Sequence, residues 1–387
     1  MFRIQTLNKI SQNGLDLLPH ESFEYASEIV NPDGVILRSF KMHDMALPAS
    51  LKAIARAGAG VNNIPVEKCS EAGIVVFNTP GANANGVKEL VLLGLLISSR
   101  KVFRGIKWAK SLTEGCDDVS KTIEKGKSDF TGQEIKGKKL GVIGLGAIGV
   151  MVANDAESLG MEVSGYDPFM SVDAAWGLSC SVKKAASFDS IISESDYISI
   201  HVPLNDKTRG MFNKDKFQLM KEGISILNFA RGDLVNNTDL KEAIDQGIIE
   251  MYVTDFPNEE LLDNDSIIPI PHLGASTPES EENCAIMAAN QIRDYLKKGN
   301  IVNSVNFPEC VMAQSGTKRI LIANKNVPNI IGQFTSILAK ENLNISDMLN
   351  KSKRDYAYNI IDVDGDVDGS VIDKLMAVEG VSMVRVI

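Results

Sequence analysis

The chain has 387 residues, 44% hydrophobic and 23% charged, which is room for two or three domains with ordinary globular cores. Its 40 Lys and Arg stand against 50 Asp and Glu, a net charge of −10, a sign that repels nucleic acid and anionic membranes but leaves room for a small anionic substrate held by local charges. Five Cys (Cys69, Cys116, Cys180, Cys284 and Cys310) form no CxxC pair, so free thiols in a reducing cytosol are expected rather than a disulfide frame or a metal cage.

In chain order, the opening MFRIQTLNKI reads as a strand, with no signal peptide visible. Strands are predicted at 2–7, 34–38, 53–56 and 75–77, separated by helical patterns. The most apolar stretch, ELVLLGLLISSR at 89–100, falls short of the ~18 residues of a membrane span and predicts a buried helix. From about 100 to 280 the alternation is clearest, with strands at 139–143, 161–166, 197–202, 224–229, 250–254 and 267–270. Strands alternating with helices imply right-handed βαβ units and a parallel sheet covered on both faces. A long amphipathic helix at 276–298 then returns to the first domain and makes it discontinuous. Residues 300–316, carrying Pro, Gly and small polar side chains, read as a linker. Beyond it, strands at 318–324, 345–351, 355–363 and 382–387 and helices at 329–341 and 369–378 give the order βαββαβ, a ferredoxin-like arrangement.

The sharpest motif is KLGVIGLGAIG at 139–149, in which Gly144, Gly146 and Gly149 form G-x-G-x-x-G between a strand and a helix. The first glycine makes the tight turn, the second admits a pyrophosphate to the backbone, and the third lets helix pack on strand. The N-terminus of the helix, with Ala147 and Ile148, then offers unpaired N–H groups to the phosphates. Asp167, 18 residues past Gly149 at the end of the next strand, is placed to accept from both ribose hydroxyls. A carboxylate there repels a 2′-phosphate, so NAD is expected rather than NADP.

The four His are His20, His43, His201 and His272; the first two lie in polar loops and read as surface residues. His201 and His272 follow parallel strands at their C-terminal ends, the edge where ligands bind in this architecture. Three segments share that edge: NFARG at 228–232, DFPNEE at 255–260 and PHLGAST at 271–277. Arg231 can grip a substrate carboxylate in a bidentate fork, and His272 can exchange an alcohol proton near neutral pH. A carboxylate from the middle segment can fix the imidazole tautomer. No metal site is expected.

Together with RAGAGVNNIP and NTPGANANGVKELVLLGLL, the motifs LGVIGLGAIG, HVPLNDKTRGMFN, ILNFARGDLV and PHLGAST resemble the D-2-hydroxyacid dehydrogenase family from residue 50 to 310. The resemblance implies an α/β fold: a discontinuous flavodoxin-like substrate domain at 1–95 and 281–305 and a doubly wound Rossmann-type NAD-binding domain at 96–280. A linker at 306–316 and a ferredoxin-like ACT domain at 317–387 complete it. It implies catalytic residues Arg231, Glu259 and His272, with Glu260 a rival to Glu259. For the cofactor it implies, besides the glycine loop and Asp167, the residues His201, Val202, Pro203, Thr208, Ala230, Arg231, His272 and Gly274. The family usually shows Asp two residues before the Phe; here Thr254 stands there and Asp255 is shifted by one, and either could face the nicotinamide. Lys88, after the NTP loop, has no evident explanation in the sequence.

The members most alike act on 3-phosphoglycerate, which implies oxidation to 3-phosphohydroxypyruvate at the head of serine synthesis in the cytoplasm. Arg56, Ala59, Gly60 and Asn83 are the matching substrate positions, with Arg231, and the backbone of 57–60 could form a nest for an anion. The ACT resemblance implies L-serine as an effector, read by Asn324, Asn326 and Asn344, and a homodimer or homotetramer. In relatives inhibited by serine, His and Gly stand where this chain has Asn324 and Asn329. Rival readings keep the fold: a dehydrogenase of another 2-hydroxy acid, or a non-catalytic NAD-sensing protein.

Overall fold

The computed structural model describes residues 1–112 and 118–387, in two compact units, Met1–Asn83 with Pro278–Ile387 and Ala84–Thr277. Cys69, Cys180, Cys284 and Cys310 are free thiols, and Cys116 lies outside the described residues. Among the described residues no helix is long and apolar enough to cross a membrane.

The first unit opens with strands β1 (Phe2–Leu7), β2 (Phe23–Ala26), β3 (Gly34–Leu37), β4 (Ala53–Arg56) and β5 (Val75–Phe77), all parallel in the order β2-β1-β3-β4-β5. That is the flavodoxin-like order. Every residue of β3 and β5 is buried, because both sheet faces are covered. Helix Pro278–Lys298 lays Cys284, Ala288 and Ile292 against Ile4, Ile36 and Ala55 on one face. On the other, Cys69 of helix Val66–Glu71 joins Val35, Ile54 and Val76. β2, which the sequence pattern missed, is a four-residue edge strand with one buried side chain, too short to show a period.

The second unit carries β6 (Lys139–Ile143), β7 (Glu162–Tyr166), β8 (Lys183–Lys184), β9 (Tyr197–Ile200), β10 (Ile224–Asn228), β11 (Ile249–Thr254) and β12 (Ile267–Pro269) in the order β12-β11-β10-β9-β6-β7-β8. The pairings are parallel, and the order reverses between β6 and β9, the switch point at which a doubly wound sheet opens its binding crevice. Helix Ala84–Arg100 belongs here, so the unit boundary falls at 83/84 rather than at 95/96. Val87, Val91 and Leu95 pack with Leu140, Phe229 and Val253. A Cβ on Gly94 would come within 3.0 Å of the Phe229 ring. Lys88 is accounted for: its Nζ lies 2.9 Å from Asp155 Oδ2 on helix Ala147–Ser158, fastening one helix to the other.

The chain returns to the first unit for β13 (Lys318–Lys325), β14 (Asn344–Lys353), β15 (Tyr356–Asp364) and β16 (Val381–Val386), antiparallel in the order β14-β15-β13-β16. With helices Ile330–Lys340 and Gly369–Met376 this is the βαββαβ arrangement. It does not stand apart behind a linker. Ile320, Ile322, Ile361 and Val363 meet the two helices, while Leu321, Ala323, Tyr358 and Ile360 join the core of the first sheet with Phe77 and Tyr295. The expected linker is packed: Phe307 and Cys310 are fully buried, and Ile301 bridges to Cys310. Arg319 secures the join, its Nε and Nη2 on Asp362 at 2.6 and 2.8 Å and its Nη1 on the carbonyls of Lys298 and Met312.

Candidate active site

In the second unit, β6 runs into a turn that only glycine can make. Gly144 has φ +92°, and a Cβ there would lie 2.6 Å from the carbonyl oxygen of His201, past β9 on the far side of the switch point. A Cβ on Gly149 would collide with the carbonyl of Gly144 itself. Over Gly146 the space is open, and the helix starting at Ala147 has no side-chain cap, so its first N–H groups face that opening. Asp167, one residue past β7, is held by two backbone donors, Leu145 N on Oδ2 and Phe169 N on Oδ1, both at 2.8 Å. Each oxygen keeps a lone pair for a hydroxyl.

Past β10 the fully buried Asn228 shapes the turn. Its Nδ2 donates to the Arg231 carbonyl and to the Tyr252 hydroxyl, both at 3.0 Å, and its Oδ1 accepts from Ala230 N at 3.2 Å. Arg231 emerges exposed, with its guanidinium carbon 5.9 Å from the centre of the Phe256 ring. The other neighbour of that ring is His272, centre to centre 4.6 Å. Arg231, Phe256 and His272 therefore stand in a row along the C-terminal edge of β10, β11 and β12. His272 is exposed, with φ +41°, and lines a cavity of ≈ 610 Å³ with Gly232, Tyr252, Asp255 and Phe256.

Two carboxylates approach this row differently. Glu259 and Glu260 open a short 3-10 turn whose buried residue is Leu261, so both acids face solvent. Among the described residues no hydrogen bond or ion pair joins Glu259 to His272, while Glu260 accepts from Asn237 Nδ2 at 3.1 Å. Asp255 is 2% exposed; its Oδ2 accepts from Gly274 N at 3.1 Å, and its buried Oδ1 has no partner among the described residues. Burial pushes its carboxyl above the usual Asp range, against the pull of the Gly274 N–H and the charges of His272 and Arg231.

In the first unit, Arg56 ends β4, with Nε on the carbonyl of Arg38 at 3.0 Å and its guanidinium packed over Gly58. Gly58, at φ +152°, donates to Thr79 Oγ1 at 2.7 Å, and Asn78 Nδ2 donates to the Ala59 carbonyl at 2.6 Å. The Ala57–Gly60 bend is thus fixed beside the Arg56 guanidinium, and Arg38 follows β3 on the neighbouring strand. Arg38, absent from the sequence-based set, pairs with Glu281 at 2.6 Å. Its place just past a strand end, one strand over from Arg56, was the available signal.

The family model "D-isomer specific 2-hydroxyacid dehydrogenase, NAD binding domain" matches residues 102–276. The D-3-phosphoglycerate dehydrogenase of Haemophilus influenzae is 32% identical over 347 residues, 85% of this chain and 79% of that protein. The chain belongs to the D-3-phosphoglycerate dehydrogenase family. The Methanocaldococcus jannaschii enzyme of the same name is 35% identical over 293 residues, 73% of this chain, but the chain spans only 53% of that longer protein. Among solved structures, NAD+-bound 3-phosphoglycerate dehydrogenase of Entamoeba histolytica matches with a TM-score of 0.62 and 28% identity, covering 79% of this chain and 98% of that one.

In this family member the second unit is the NAD-binding domain, and its cradle fits the cofactor: a turn closed to any Cβ, a bare helix N-terminus and a fixed acid beyond the second strand. Gly144, Gly146, Ala147, Ile148, Gly149 and Asp167 would hold it. His201, Val202 and Pro203 line the facing loop. Burial pushes the His201 imidazole down to about 3, which favours its neutral form, and Ser199 Oγ sits 2.8 Å from its Nε2. Thr208 is spent on its own loop, its Oγ1 donating to the Pro203 carbonyl at 2.6 Å and accepting from Asn205 N at 2.9 Å.

Glu259 and Glu260 face solvent beside the buried Leu261, with no hydrogen bond or ion pair from Glu259 to His272 among the described residues, while Asp255 is the buried carboxylate at this edge. Asn324 is not a free ligand for an effector: it is fully buried, its Oδ1 accepts from Asn359 Nδ2 at 2.7 Å, and its Nδ2 donates to the Lys325 carbonyl. Asn326 and Asn344 are exposed, but β15 pairs Asn324 with Ala357 and Asn344 with Asp364, opposite ends of one strand. Asn329 does adopt the glycine-like conformation its position asks for, with φ +66°.

Proposed function

We propose that the chain oxidises 3-phosphoglycerate to 3-phosphohydroxypyruvate with NAD, the first step toward serine. The observation that carries this is the row Arg231–Phe256–His272 on the same sheet edge as the glycine cradle. The names of the relatives supply the substrate.

Bound NAD supplies a hydride acceptor. Arg231 grips the substrate carboxylate with its planar fork and draws electron density from C2 as the carbonyl forms. His272, as the neutral base, takes the hydroxyl proton while the C2 hydrogen departs; as imidazolium it returns that proton in the reverse direction. Phe256 keeps both groups on station by contact with guanidinium and imidazole. In the first unit, Arg56 and the Ala59 and Gly60 amides are read as anion-binding positions, and Asn83 stands in the following loop.

The C-terminal βαββαβ module is read as an ACT domain that answers L-serine, in a cytoplasmic homodimer or homotetramer. Steady-state NADH formation from a panel of 2-hydroxy acids, with and without serine, tests all of this. 3-Phosphoglycerate should give the highest kcat/KM. A higher value with lactate or glycerate would refute the substrate, and no turnover with any acid would refute the enzyme.

A further inference from the structure

Resting on that reading, we propose that Asp255 is a positioning residue for His272, the carboxylate that clamps the turn presenting the imidazole. Asp255 follows β11 directly, and the clamp has two jaws. The Asp255 carbonyl accepts from His272 N at 3.1 Å, and the side-chain Oδ2 accepts from Gly274 N at 3.1 Å. Between them the chain passes through a conformation that a non-glycine residue keeps only when its surroundings over-determine it: His272 has φ +41°. A second bond, from His272 N to the Ile270 carbonyl at 2.9 Å, tightens the same turn.

The packing of Gly274 agrees. It is buried, and a Cβ there would lie 3.0 Å from Asp255 Oδ2, so the turn closes directly onto the carboxylate. Holding an acid here is costly, since it is 2% exposed and Oδ1 accepts nothing among the described residues. The groups of the reaction itself that draw on its charge are His272 and Arg231. Glu259, by contrast, makes no hydrogen bond or ion pair with the imidazole among the described residues.

The test compares the full-length wild type with D255A, D255N and E259Q. Hydrogen exchange at the Gly274 amide is read on the unliganded protein, and kcat and KM with 3-phosphoglycerate and NAD on the complete reaction. D255A loses the side-chain jaw: Gly274 exchange should accelerate at least about tenfold, and kcat should fall about 10²-fold, the cost of misplacing a reacting group by an ångström, while KM for NAD changes little. D255N keeps an acceptor oxygen and should recover at least about tenfold of the loss in kcat together with Gly274 protection. E259Q should leave Gly274 exchange where it is.

Unchanged Gly274 exchange in D255A overturns the clamp. So does a loss that falls wholly on KM for NAD, which would make Asp255 a cofactor contact, or a D255N as impaired as D255A in both readouts. A wild type inactive on every 2-hydroxy acid overturns the reaction reading instead, and with it the clamp's purpose, while the exchange data still report whether the clamp exists.

Discussion

Arg319→Met is expected to be among the most destabilising single substitutions in the first unit. Arg319 is 1% exposed and Asp362 fully buried. The guanidinium makes two bonds to the carboxylate and two to backbone carbonyls, so one side chain ties β13 to β15, to the end of helix Pro278–Lys298 and to the segment at Met312. Replacing it with Met strands a buried carboxylate whose remaining donors are Ser315 N at 2.8 Å and a weaker Ser315 Oγ at 3.4 Å. Removing one partner of such a pair costs about 3–5 kcal/mol, whereas replacing both with apolar groups is often close to neutral. R319M/D362L should therefore be markedly more stable than R319M. Burial pushes the Asp362 carboxyl up, but the Arg319 and Ser315 hydrogen bonds and the Arg319 charge outweigh it, and the net direction is down. A depressed folded value means that the pair's contribution is complete above the unfolded Asp value and is lost as pH falls through the folded one. The gap between wild type and R319M should then narrow in acid. Both Trp, Trp108 and Trp176, lie in the second unit, so fluorescence would report the wrong part of the molecule. Hydrogen exchange of β13 and β15 amides in a urea series is the suitable assay. A loss below about 1 kcal/mol in R319M, or a double variant no more stable than the single, would refute the reasoning.

Three further outcomes bear on the active site. H272N should lower kcat by about 10²–10⁴-fold with NAD affinity preserved, measured by steady-state rates and calorimetry; near-normal turnover removes His272 from the chemistry. D167A deprives Leu145 and Phe169 of an acceptor and the ribose of its acid, so NAD should bind about 10- to 100-fold more weakly and the preference over NADP should shrink. An unchanged NAD to NADP ratio would assign the ribose to another residue. G149A drives a methyl into the Gly144 carbonyl and should cost about 1–3 kcal/mol while weakening NAD, read by thermal unfolding and calorimetry; wild-type values for both would mean that helix and strand do not approach as described.

Much of the site was legible because its chemistry is local. Glycines between a strand and a helix, an acid after the next strand, and Arg and His just past strand ends are short-range patterns, and a parallel sheet places every such position on one edge. Asn228 was in plain view inside NFARG, yet nothing in the sequence distinguishes a buried carboxamide that shapes a turn from a polar residue at a strand end. Glu259 and Asp255 show the limit from the other side. Both are acids within five residues of the end of β11, and which one enters the site depends on Leu261 finding the core and on Gly274 meeting Oδ2 from a segment 19 residues away.

Most of the order of elements, the parallel or antiparallel character of the three sheets and the cofactor fingerprint were determined by the sequence alone, because hydrophobic period and turn chemistry act over a few residues. Only the tertiary structure decided that helix Ala84–Arg100 belongs with the second unit and that the C-terminal sheet shares a core with the first. β13 and β15 are largely apolar and buried on both faces; that pattern says they are covered twice, but what covers them is settled by packing between segments hundreds of residues apart.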